Sequence, residues 1–308
     1  MMEVSLGMFH APLPPCSGEA APSRRTKGPL AMLEKIDLNK KISKKEYKKV
    51  FPRARMKLYA LQKASWDAEI PVIILFEGWD AAGKGTSIQT LTSKLDPRGF
   101  KLYPIRAART YESKHPWMWR FWLKIPGQGE WVIFDRSWYG RTLVERVEGL
   151  ITEKSWHRAF RDIVNFERTL ADEGYLIIKF FLHISREEQK RRFDKLINDP
   201  LTAWQVLPED WEHHKHYDEW LLAYEETFER TETESGPWTI VEATNRRYTN
   251  IKIFNTITAS LERQLALMNA LPDPAYWEDA KDETLEINQD EEANEQEDLE
   301  SDSEPASF

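Results

Sequence analysis

Residues 72–87, VIILFEGWDAAGKGTS, decide the fold. The first half is a continuous apolar run ended by Gly78, the pattern of a strand covered on both faces of a sheet. The second half fits G-x-x-x-x-G-K, and TSIQTLTSKL (86–95) follows with helical spacing. Strand, glycine turn and helix in that order predict a phosphate cradle. Backbone N–H groups of Gly78, Ala82, Gly83, Lys84, Gly85, Thr86 and Ser87 would face the anion, the helix would add its positive end, and Lys84 would cancel charge on the transferring group. The alternative is a glycine turn with an exposed lysine. One position is unusual: where such loops carry a Ser or Thr that holds magnesium, this chain has Gly85.

Two further signals bear on that gap. WVIFDRSWYGR (131–141) reads as a second buried strand ending in Asp135, where a P-loop site places its magnesium carboxylate, with Arg136 beside it to fork onto phosphate oxygens. Asp135 could instead cap the next helix. Asp80 is a carboxylate inside the loop, and negative charge there opposes phosphate unless a cation lies between them. Asp80 and Asp135 therefore suggest a metal-bridged site, with capping of the turn as the other reading of Asp80. EEQKRRF (187–193) puts Lys190, Arg191 and Arg192 on successive helical positions, so one or two can face a cleft as lid cations; a solvated basic face paired with Glu187 and Glu188 is the rival.

The remaining periodicity supplies the frame. KKISKKEYKKVFPRARMKLYALQKASW (40–66) predicts helix faces on either side of Pro52. LYPI (102–105), YLIIKFFLHI (175–184) and WTIVEA (238–243) predict strands. HPWMWRFWLKI (115–125) predicts an aromatic helical turn whose Trp117, Trp119, Phe121 and Trp122 fill a helix–sheet interface. Residues 154–174 read as a helix stopped by Gly174. Ser185 with Glu188 forms a capping box opening 186–199, Pro208 starts a polar helix through about Thr231, and 250–268 is the last helix. His213, His214 and His216 crowd that polar helix without a cysteine or second histidine cluster, so they are given no metal. About five buried strands alternating with helices predict an α/β fold, a three-layer α/β/α sandwich on a mostly parallel sheet.

The 308 residues carry a net charge of −8, unevenly spread: 15 acidic residues against Lys281 lie between Asp273 and Phe308, leaving the part before them about +6. The expected organisation is a leader over 1–33, a folded domain over 34–270 with a lid at about 185–215, and an acidic disordered tail over 271–308. No apolar run approaches a membrane span, the N-terminus lacks a secretion signal, and Cys16 is the sole cysteine. A cytoplasmic protein without a membrane partner is the expectation.

In combination, FEGWDAAGKG (76–85), YPIRA (103–107), WRFW (119–122), FDRSWYGRTLVERVEG (134–149), EEQKRRF, EDW (209–211) and PWTIVEA (237–243) resemble the second family of polyphosphate kinases, most closely its polyphosphate:AMP phosphotransferase branch. The resemblance runs from about residue 42 to 265. It implies a P-loop kinase fold with a helical lid, transfer of a terminal phosphoryl group from inorganic polyphosphate to AMP, a magnesium cofactor, and assembly as a dimer or tetramer. By position it implies metal and phosphate roles for Asp80 and Lys84, the second-motif roles for Asp135 and Arg136, and lid roles for one or both of Arg191 and Arg192. The chain departs from the family pattern at Thr86, at Ala108, and at Leu196, Thr202 and Gln205 in the lid. Fewer lid cations predict a weaker, salt-screened grip on a polyanion. ADP as acceptor, a reversed reaction that consumes ATP, and a weakened polyphosphate-binding protein are the alternatives; nucleic-acid binding has no support beyond mild basicity and exposed-looking aromatics.

Overall fold

The structure is a computed structural model and describes residues 32–278. Leu33–Lys35 forms a short 3-10 turn in the N-terminal unit; the elements that follow belong to the unit that begins at Ile36. Five strands lie in that unit: β1 Val72–Gly78, β2 Phe100–Pro104, β3 Trp131–Asp135, β4 Leu176–His183 and β5 Trp238–Glu242. The helices are α1 Lys44–Asp67, α2 Lys84–Thr92, α3 Trp119–Trp122, α4 Val144–Val147, α5 Glu153–Asp172, α6 Arg186–Asn198, α7 Pro208–Lys215, α8 Tyr217–Thr231, α9 Arg246–Leu267 and α10 Ala275–Glu278. Strand order is β2-β3-β1-β4-β5 and every pairing is parallel.

Both faces of this sheet are covered, so β1 is buried along its whole length, as its unbroken apolar run requires. Side chains alternate across the two faces. Phe181 meets the rings of Tyr224 and Phe228 on α8, whereas Trp131 donates its indole N–H to Ser65 Oγ on α1 at 2.9 Å. Helices α1, α2 and α9 cover one face, and α5 and α8 the other. Fully burying one such large side chain contributes about 1.5–3 kcal/mol.

Lys179 interrupts the apolar run of β4 and is nonetheless fully buried. Its ammonium donates to Glu167 Oε2 at 2.9 Å, to Tyr139 Oη at 2.9 Å and to the Thr231 carbonyl at 3.0 Å. Glu167 Oε1 in turn accepts from Trp138 Nε1 and Tyr139 Oη. A buried pair is tolerated when its remaining donors and acceptors are met, and here four further hydrogen bonds do so. The network clamps the turn after β3 between β4, α5 and α8.

Several local expectations are revised. Helix α1 runs unbroken through Pro52, because Phe51 stacks on Tyr47 and meets Phe254 of α9 edge-on, holding the turns on both sides of the missing N–H. The single polar helix from Pro208 is two helices meeting at His216. Of the aromatic cluster only Phe121 is buried; Trp122 is 42% exposed and touches Phe166 edge-on. Past residue 270, where the acidic tail was expected, Ala275–Glu278 is helical and packs on α1; the leader to residue 31 and the tail from residue 279 lie outside the described residues. Among the described residues no helix is long and apolar enough to cross a membrane.

Gly78 is fixed by close approach. Its φ is +141°, and a Cβ there would lie 2.4 Å from the Leu182 carbonyl oxygen on β4, whereas a Cβ at Gly85 meets nothing within 4 Å. Gly78→Ala is expected to cost about 2–4 kcal/mol, and Gly85→Ala less than about 1 kcal/mol. Urea-unfolding midpoints check this, and equal losses for the two would contradict the packing account.

Candidate active site

In a parallel sheet the strand carboxyl ends gather the loops, and register places Asp135 opposite Phe76, just before the loop leaves β1. The loop is held by its own groups. Trp79 is buried against Tyr217, the rings stacked at 3.9 Å, and its indole N–H donates to His183 Nδ1 at 3.0 Å. Ala81 (φ 59°) and Gly83 (φ 94°) take left-handed backbone, and Gly83 caps α2. Lys84 Nζ donates to the carbonyls of Gly78 and Trp79, both at 2.9 Å, so the ammonium lies across the mouth of the loop. Burial lowers its pKa, and the nearby Arg136 charge works the same way.

Asp80 is where the charges meet. Arg136 Nη2 donates to its Oδ1 at 2.7 Å, His213 Nδ1 lies 3.1 Å from its Oδ2, and Lys84 Nζ is 4.0 Å away. Burial pushes the Asp80 carboxyl upward, but the His213 hydrogen bond with the Lys84 and Arg136 charges outweighs it, and its pKa falls well below the usual carboxylate range. Arg136 itself sits at φ 61°, a strained position that aims the guanidinium back over the loop. Beneath them Glu77 is buried; burial raises its pKa, and Ser137 Oγ donates to it at 2.7 Å.

Helices α6 and α7 lie across the loop. Gln189 donates to the Asp80 carbonyl at 3.1 Å, and Arg192 donates to the carbonyls of Ala81 at 3.0 Å, Ala243 at 2.6 Å and Thr244 at 3.1 Å. Arg191 pairs with Glu188, which also takes Arg192. Lys190 pairs with Asp194 instead. Two of the three consecutive cations thus serve the cleft, as helical geometry allows. The cleft is a cavity of about 1160 Å³ whose lining includes Asp80, Lys84, Asp135, Arg136, Arg191 and Arg192, together with Ala82, Gly83, Gly85, Thr86 and Ser87 of the loop.

The structure adds residues that the sequence reading left out. Asp80, Asp210 and His213 each offer a ligand atom within 4.8 Å of one another; among the described residues they form the group able to hold a metal, and Asp135 lines the same cavity outside it. The expectation paired Asp80 with Asp135 and gave His213 no such place. The difference arises because α7 folds back over a loop 133 residues earlier, which no spacing in the chain reports. His213 Nε2 also lies 3.1 Å from Glu148 Oε1. Both ring nitrogens of His213 face carboxylates, so the ring donates to both when protonated and offers a ligand atom only when neutral.

Known proteins resemble this chain closely. Residues 41–268 match the family model described as Polyphosphate kinase 2. A polyphosphate:AMP phosphotransferase of Pseudomonas syringae pv. tomato is 36% identical over 255 residues, covering 80% of this chain and 51% of that protein. ADP-polyphosphate phosphotransferase 3 of Rhizobium meliloti is 36% identical over 215 residues, covering 70% and 76% respectively. The crystal structure of polyphosphate kinase 2 from Arthrobacter aurescens TC1 superposes with a TM-score of 0.73 at 25% identity, covering 87% of this chain and 92% of that one. The chain spans about half the length of the polyphosphate:AMP phosphotransferases it matches.

The hydrogen bond to Asp80 raises the His213 pKa above its ordinary 6.5, against burial. The contact is at full strength below 6.5 and is lost as pH rises through the raised value; on the acid side it weakens only below Asp80's ordinary 3.8, as pH falls through the lowered value. Titration of His213 by NMR is expected to give a pKa above 6.5 that moves back toward it in Asp80→Asn. A wild-type value at or below 6.5 would contradict the bridged geometry.

Proposed function

The chain belongs to the polyphosphate kinase 2 family, and from that premise we propose that it transfers the terminal phosphoryl group of inorganic polyphosphate to AMP, yielding ADP and a chain one unit shorter. The observation that carries this reading is the convergence of Lys84, Arg136 and the Asp80 carboxylate at the mouth of one phosphate loop, in a cavity wide enough for more than one phosphate group. The Pseudomonas relative bears the name of that reaction.

In the reaction an oxygen of the AMP phosphate attacks the terminal phosphorus, and the bond to the bridging oxygen breaks, leaving its electron pair on the shortened polyphosphate. Phosphoryl transfer of this kind needs positioning and charge neutralisation rather than a covalent partner from the protein. Lys84 exchanges its two carbonyl partners for phosphate oxygens, an exchange between acceptors that leaves the ammonium fully bonded. Arg136, already directed over the loop, forks onto the equatorial oxygens. The N–H groups at the start of α2 point at the same place. Arg192, bonded to Ala81 and to the turn after β5, closes α6 over the loop and keeps water from the transferring group.

The donors suit a hard divalent cation, which binds through one or two carboxylates and leaves room for phosphate oxygens and water. Magnesium would be held by Asp80 and Asp135, with Asp210 and His213 next to Asp80, and when bound it neutralises charge on the phosphates. Asp80 can keep its contacts with Arg136 and His213 while ligating, since each carboxylate oxygen has two lone pairs. Gly85 then needs no hydroxyl.

ADP as acceptor is the second reading, and the Rhizobium relative's name favours it. Incubating the protein with long-chain polyphosphate, magnesium and either AMP or ADP tests both. ADP made from AMP is the expected product, with Lys84→Ala and Asp135→Asn each lowering the rate by at least about 100-fold. ATP made from ADP with no product from AMP would move the assignment to the second reading. Full activity in a folded Asp135→Asn variant would overturn the role given to that carboxylate.

A further inference from the structure

We propose that the amino-terminal half of α1 is a docking surface for the acidic segment 279–308 of the same chain. That segment carries 13 Asp and Glu against Lys281. Residues 40–55, KKISKKEYKKVFPRAR, carry eight Lys and Arg against Glu46. The face formed by Lys44, Lys45, Lys48 and Lys49 belongs to neither the loop, the second motif nor the lid, and it lies outside the lining of the cavity.

These lysines stand where a helix bears them least well. The Glu46 N–H donates to the capping Ser43 Oγ at 3.2 Å, so Lys44, Lys45, Lys48 and Lys49 fall in the first two turns of α1. That is the positive end of the helix dipole, where cations are disfavoured and anions are stabilising. Lys44 with Lys48, and Lys45 with Lys49, are also like charges four residues apart, a second unfavourable arrangement. Glu46 is the one acidic residue in the first turn. Lys45, Lys48 and Lys49 are exposed, and Lys44 is half-buried beside them. A polyanion lying on this face turns both costs into attractions, which identifies the chemistry of the partner.

The same helix holds the start of that partner. Helix α10, Ala275–Glu278, packs against α1, with Lys57 Nζ 5.9 Å from the centre of the Trp277 ring. The helix rises about 18 Å between Lys57 and Lys45, a span that roughly six extended residues cover. The segment leaving Glu278 therefore reaches the lysines with most of its acidic residues still to place. A nucleic acid or an anionic membrane meets these lysines only from solution. Helix α10 delivers the acidic segment at an effective concentration on the order of millimolar. Ahead of the helix the chain is fixed as well: Lys40 Nζ donates to Glu242 Oε1 at 2.9 Å, and Arg247 Nε donates to the Ile42 carbonyl at 3.3 Å. Lys40, Lys41 and Arg247 line the cavity, so the docking face adjoins its wall.

Exposed ion pairs are individually weak and screened by salt, so the contact belongs to low ionic strength. A carbodiimide, which joins a carboxylate to a lysine in contact with it, is applied to the full chain at about 20 mM and about 500 mM salt, and the cross-linked peptides are mapped by mass spectrometry. At low salt, most links from residues 279–308 to the rest of the chain are expected on Lys44, Lys45, Lys48 and Lys49, falling at least about fivefold at high salt. Lys45→Glu/Lys49→Glu is expected to lower the links at Lys44 and Lys48 by at least about fivefold, and Lys45→Arg/Lys49→Arg to leave them unchanged. A mixture of unlabelled and nitrogen-15 chains should give links within one isotope only. Links that are absent, that spread equally over lysines elsewhere such as Lys101 and Lys154, that ignore the charge reversal, or that join the two isotopes would overturn the proposal. No readout involves polyphosphate, so the result is independent of the reaction proposed above.

Discussion

The carboxylate of Asp80 is the joint on which the site depends. It receives Arg136 from the turn after β3 and His213 from α7, and it faces Lys84 from its own loop. Three segments with no common local structure are thereby held over one point. Its burial would be costly for an isolated charge, and the surrounding cations offset that cost, so its pKa falls although desolvation alone would raise it. The same contacts hold backbone that would otherwise relax, since Ala81 and Arg136 both occupy left-handed conformations unusual for residues with a Cβ. On the proposed reading such a site is preorganised, because cations fixed by these contacts need little reorganisation to meet phosphate.

Beneath that joint the sheet supplies rigidity. The contact between Gly78 and Leu182 lets β1 and β4 approach closely where the loop departs, and the buried Lys179–Glu167 pair fixes Trp138 and Tyr139, the residues that follow Arg136 and Ser137. The two devices act on opposite sides of the site. One sets where the loop begins and the other where the arginine turn is anchored, so catalytic geometry and core packing are coupled through a few residues at the carboxyl edge of the sheet.

Much of this was legible in the sequence, and the reason is locality. The loop, the strand ending in Asp135 and the helix cap at Ser185 are each written in fewer than about a dozen consecutive residues, and the structure brings Asp80, Lys84, Asp135, Arg136, Arg191 and Arg192 to one cavity. What was not legible depends on pairs far apart in the chain. His213 looks like one of three surface histidines until α7 is laid across a loop 133 residues earlier. Lys179 reads as an interruption of a strand until Glu167 is placed opposite it. The helix faces on either side of Pro52 do not show that they form one helix until Tyr47 and Phe254 are packed against Phe51. Lys40 and Arg247 give no sign in sequence that they share a wall. Side-chain partners chosen by tertiary packing have no period or motif to betray them.

The claim most exposed to test is that phosphoryl passes directly from polyphosphate to a nucleotide held beside Lys84 and Arg136. Polyphosphate labelled with phosphorus-32 and incubated with unlabelled AMP and magnesium should yield ADP carrying the label in its β-phosphoryl group alone, with little labelled orthophosphate. Label appearing only as orthophosphate, with AMP unchanged, would mean that the site hydrolyses or merely holds the chain, and would contradict the account.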